Sequence, residues 1–77
     1  MNTKQLMQIA AVRRRLKSGE ARELRIVAQV SLSEVARAAH ISTTSAWRYE
    51  NGERTPRAAQ ALAYARVLEH LERELNQ

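Results

Sequence analysis

The strongest constraint in this chain is a pair of helix-start signals set very close together. Ser31-Leu32-Ser33-Glu34 is a capping box, in which the Ser31 hydroxyl accepts from the Glu34 amide and the Glu34 carboxylate reaches back to the Ser31 amide. Ser42 is the next good N-cap. A helix starting at Leu32 must therefore stop near His40, turn through Ile41 and restart at Thr43. A turn that tight needs a residue with positive φ, and His40 holds the position. The first of the two helices buries Val35, Ala36 and Ala39 and exposes Arg37. The second, Thr43 to Glu50, buries Ala46 and Tyr49 beside Ser45 and turns Thr43, Thr44, Trp47 and Arg48 outward.

The flanking segments are also read as helices. Leu6, Ile9, Val12 and Leu16 share one side of a helix from Thr3 to Ser18, with Gly19 as its stop. A short helix follows from Glu20 to Ala28, with Glu20 and Glu23 near its positive end and Leu24, Val27 and Ala28 apolar. Asn51-Gly52 closes the Thr43 helix, and Glu53 to Thr55 form a loop. Thr55 and Pro56 are expected to cap and open a last helix, Pro56 to about Leu75. On that helix Ala58, Ala61, Leu62 and Ala65 face one way, whereas Tyr64, Leu68, Leu71 and Leu75 lie about a quarter-turn round at 4-3-4 spacing. The second group is expected to pack on the N-terminal helix or on a second copy of the chain. The chain divides into a basic N-terminal helix (1–19), a central domain (20–68) and an extension of the last helix (69–77).

Composition narrows the functions open to such a fold. A domain of 77 residues buries about 60% of its unfolded surface, so its core is small or shared. The chain has no cysteine, which excludes disulfide scaffolds and thiolate metal sites, and His40 and His70 are isolated, so neither metal nor cofactor is expected. No apolar run approaches the roughly 20 residues of a membrane span, and Met1 to Gly19 lacks the charged-then-apolar order of a signal peptide. A cytoplasmic location is expected, with no membrane partner and no evident small-molecule ligand. The net charge of +5 suits a polyanion, and its placement is uneven. Lys4, Arg13, Arg14, Arg15 and Lys17 precede Gly19, whereas beyond Arg57 two arginines face Glu69, Glu72 and Glu74. Arg48 projects from the exposed side of a short helix and has the fork that bonds guanine O6 and N7 together. Trp47 beside it is read either as a contact to a thymine methyl, sugar or phosphate, or as packing. No nucleophile, base and orienting partner can be assembled, so no enzyme is expected.

Arg22-Glu23-Leu24-Arg25, Ser31 through Glu34, Val35-Ala36, Ile41-Ser42, Arg48 through Gly52 and Pro56 together resemble the helix-turn-helix domain of the phage Cro and lambda-type repressor family, over roughly Glu20 to Leu68. The resemblance implies an all-α, five-helix domain, here with an extra N-terminal helix and a long C-terminal one, whose recognition helix enters the major groove of double-stranded DNA. It implies base contacts from Thr43, Thr44 and Arg48, with Trp47 beside them. It places phosphate contacts at Ser31, Leu32 and Ser42 and at Asn51, Gly52 and Arg54, to which the charge pattern adds Arg57, Arg14 and Arg15. Leu32 stands where the family often has a phosphate-bonding glutamine, His40 where it has a turn glycine, and Ala46 where it has a larger aliphatic residue. Members commonly bind palindromic operators as homodimers, and Tyr64, Leu68, Leu71 and Leu75 are the candidate dimer or helix-packing contacts. The expected function is a small phage-type transcriptional repressor. The alternatives are an antitoxin whose long C-terminal helix also binds a toxin, and a protein-interaction module using Trp47 and the Leu68-Leu71-Leu75 edge.

Overall fold

The computed structural model describes all 77 residues as five α-helices: α1 (Thr3–Ser18), α2 (Glu20–Val27), α3 (Leu32–Ala38), α4 (Thr43–Glu50) and α5 (Ala58–Leu75). Three of the starts follow from a local side-chain bond. Asn2 and Gln5 form a capping box at α1, Ser31 and Glu34 form another at α3, and the Ser42 side chain accepts from the Ser45 amide at α4. The bonds from Ser31 hold the Glu34 carboxyl below the usual carboxylate range, that of its backbone amide first.

Three helix ends share one geometry. After α2, α3 and α4 the residue beyond the C-cap is left-handed: Gln29 and His40 at φ 59° and Gly52 at φ 73°. In each case its amide returns to the carbonyl three back, and the next amide returns five back, as in Val30 to Arg25 (3.1 Å), Ile41 to Ala36 (2.9 Å) and Glu53 to Arg48 (2.9 Å). This is the Schellman motif, which satisfies carbonyls that the helix leaves open. Val30 and Ile41 then pack against the core, pinning the chain's direction after each turn.

A single core joins all of this. Ile9, Val12 and Leu16 of α1 cluster with Ala21, Val35, Ala39, Ala61, Tyr64, Ala65 and Leu68. Tyr64 and Leu68 are each 1% exposed within one chain, so their contacts are intramolecular helix packing. Leu71 is partly buried against the same cluster, and Leu75 is exposed. Gln8 Nε2 donates to Glu69 (3.0 Å), and Arg15 reaches Glu72 (3.0 Å), tying α1 to the acidic half of α5.

The structure corrects two local expectations, the inward face of α1 and the start of the last helix. Leu6 is exposed, because the inward stripe of α1 runs through half-buried Gln5 to Ile9, Val12 and Leu16 at 4-3-4 spacing. Val27, the last residue of α2 before its cap Ala28, is exposed. The last helix begins at Ala58 with Arg57 as N-cap, and Thr55 caps nothing. Pro56 is instead buried ahead of the helix, its carbonyl held by Arg13 Nε at 3.1 Å. Arg15, expected on DNA phosphate, is bonded to Glu20 and Glu72. Burial opposes its charge, and the bonds to Glu72 and Glu20 outweigh that, raising its pKa.

Candidate nucleic-acid interface

The candidate interface is built on α4, whose inner face is fixed and whose outer face is free. Ala46 is completely buried and Tyr49 packs against the core, which sets the rotation of the helix. Thr43, Thr44, Trp47 and Arg48 are then exposed together, Trp47 with 47% of its surface open. The Thr43 hydroxyl lies 3.4 Å from that of Ser33, linking the starts of α3 and α4.

Glu50 is the side chain that anchors α4 and that sequence reasoning passed over. It follows Ala46 by four residues and so points inward. Its carboxylate accepts two bonds from Arg25, from Nε (2.7 Å) and Nη2 (3.0 Å), while Arg25 Nη1 donates to the Val30 carbonyl (3.1 Å). The Glu50 side chain is 3% exposed and that of Arg25 15%. One planar fork thus ties the end of α4 to α2 and to the turn after it, and the Glu50 bonds raise the Arg25 pKa. A carboxylate on the buried side of a helix demands a cationic partner, and that was the available signal. Beside the pair, the Tyr64 hydroxyl is buried without a hydrogen-bond partner. Burial, and then the charge of Glu50, push its pKa well above the ordinary tyrosine value, so the phenol stays neutral.

The expected phosphate-facing residues fall into two groups, with Arg14 and Ser42 apart from them. At the start of α3, the Ser31 amide is already bonded to Glu34 (2.8 Å), whereas Leu32 follows it as the first helical residue with an open amide. After α4, the Asn51 side chain donates to the Trp47 carbonyl (2.8 Å), fixing the C-cap, and Gly52, Arg54 and Arg57 are exposed in the loop that follows. Arg14 is exposed on α1, while Ser42 is exposed with its hydroxyl 2.9 Å from that of Ser45.

Two short helices at a tight left-handed turn, the second presenting one polar face to solvent, define a helix-turn-helix protein. A family model described as "Helix-turn-helix domain" matches residues 18–76, and the chain belongs to that family, of the Cro and lambda-repressor type. No curated protein and no solved structure matches the chain significantly. The family assignment makes this a DNA-binding regulator, and no helix is long and apolar enough to cross a membrane.

Proposed function

We propose that the protein is a small phage-type repressor that reads double-stranded DNA through the outer face of α4. The observation that carries this reading is the joint exposure of Thr43, Thr44, Trp47 and Arg48 on a helix whose opposite side is locked by Ala46, Tyr49 and Glu50. A short helix held that firmly can present an arginine fork and hydroxyls to base edges in the major groove. Arg48 bonds guanine, Thr43 and Thr44 contact neighbouring bases, and Trp47 lies against a thymine methyl or sugar. Phosphates are held by the α3 start at Ser31 and Leu32, by Ser42, and by Asn51, Gly52, Arg54, Arg57 and Arg14. These contacts give affinity, and the α4 face gives sequence choice.

Regulation follows by occlusion of a promoter, with two copies on the half-sites of a palindrome about one helical turn apart. Because Tyr64 and Leu68 are consumed inside one chain, the copies meet through surface beyond them, with Leu75 and the partly buried Leu71 at the end of α5. The experiment is duplex binding at several salt concentrations, followed by selection of sites from random duplexes. Affinity should fall steeply with salt, and the selected sites should be symmetric. Binding indifferent to salt would rule out the phosphate contacts, and asymmetric single sites would rule out the dimer.

A further inference from the structure

We infer that α1, which lies almost wholly ahead of the matched domain, carries half of a second phosphate-binding site. It clamps the DNA backbone outside the segment read by α4. The inference rests on the DNA-binding reading above.

The site is a cleft of about 260 Å³ between α1 and the loop from α4 to α5. Arg13, Arg14 and Lys17 line it from α1, Arg54, Gly52 and Thr55 from the loop, and Leu16, Tyr49 and Pro56 form its apolar floor. Four cations converge there, and no carboxylate is among the lining residues. Arg15, next to them on α1, is bonded to Glu20 and Glu72, whereas none of Arg14, Lys17 or Arg54 enters an ion pair. Glu53, the acidic residue of the loop, is exposed and lies off the cleft.

The two walls are held in register. Arg13 Nε donates to the Pro56 carbonyl, which fastens the loop to α1, and buried Leu16 fixes the rotation of α1 on the core. Like charges gathered without counter-charge repel one another, and a polyanion relieves that repulsion by releasing its own counterions. Guanidinium and ammonium groups around the Thr55 hydroxyl suit phosphodiester oxygens. Gly52 and Arg54 lie just beyond Asn51, the C-cap of α4, so the cleft sits beside the end of the helix that reads the bases. Its phosphate therefore flanks the base pairs under α4.

The test uses the full chain and a duplex carrying a selected site, with affinity measured across a salt series. Arg14→Ala/Lys17→Ala should reduce the slope of log K against log salt by about 0.9 for each phosphate that is no longer neutralised, leaving base preference unchanged. Arg66→Ala/Arg73→Ala removes the same charge from exposed α5 positions and should leave the slope closer to that of the native chain. Trimming the duplex on the flank should weaken the native chain and have little effect on the α1 variant. Equal slopes and equal trimming responses for the native chain and the α1 variant would overturn the clamp and leave the α4 reading standing. A native chain that binds no duplex would overturn both. Arg14 and Lys17 are exposed and make no side-chain bond, so thermal unfolding should be unchanged, and Arg14→Lys should restore most of the slope.

Discussion

At the scale of single residues, the arginines of this chain divide by what already holds them. Arg25 is bonded to Glu50 and Val30, Arg15 to Glu20 and Glu72, and Arg13 to Pro56, whereas Arg48 and Arg54 are exposed and unbonded. Arg48→Ala should cost about 1–3 kcal/mol on the preferred duplex and relax the choice at one base pair, while Arg54→Ala should weaken all duplexes alike and flatten the salt dependence. Competition between duplexes differing at single positions separates the two outcomes. Tyr64 carries a pH prediction. Its folded pKa is raised above the ordinary 10.0, mainly by burial, so the folded state resists losing a proton that the unfolded chain gives up. The stability tied to the neutral phenol is fully present below that ordinary value and is lost as pH rises beyond it. Denaturant midpoints taken up an alkaline series should therefore fall less in Tyr64→Phe than in the native chain.

At the scale of elements, starts and stops are local chemistry, and most of them are legible in the sequence. The caps at Ser31 and Ser42 fix two helix starts, and His40 adopts the left-handed conformation that the tight turn requires of it. Gln29, in the same conformation after α2, is not legible in this way, because glutamine carries none of the usual turn preference and is placed there by Val30 packing inward. The start of α5 departs from expectation for a related reason: Pro56 suits the first turn of a helix, yet the bond from Arg13 of α1 and its own burial hold it outside. Because a non-glycine residue at φ 59° is strained, His40→Gly should stabilise the protein by up to about 1 kcal/mol, the strain relieved exceeding the added entropy of the unfolded chain. A thermal melt reads the sign directly. Midpoints below that of the native chain would mean that the His40 side chain contributes packing that outweighs its strain.

For the whole molecule, the decisive feature is that α1 belongs to the same core as the helix-turn-helix. Leu16 is 3% exposed and sits among residues from α2, α3 and α5. Leu16→Ala should cost about 2–5 kcal/mol, a large share of the roughly 5–15 kcal/mol available to a typical domain, and a shift of the denaturant midpoint measures it. The same cluster decides what the Tyr64-Leu68-Leu71-Leu75 stripe is for. Spacing alone allows an intramolecular or an intermolecular partner, and the folded chain takes Tyr64 and Leu68 inside.

By itself the sequence determined the five-helix order, the capping box at Ser31, the tight turn at His40, the two faces of α4 and the likeness to Cro and lambda-type repressors. The structural ones rest on bonds and periodicities within a few residues, and the likeness on motifs spread from Arg22 to Pro56. Tertiary structure decided the rest: that Glu50 meets Arg25, that Arg13 holds Pro56, that Arg15 is tied up by carboxylates and that Arg14, Lys17 and Arg54 share a cleft. Most of these partners lie tens of residues apart. Nothing in local propensity says which distant charge a side chain will meet until a common core has brought the helices together.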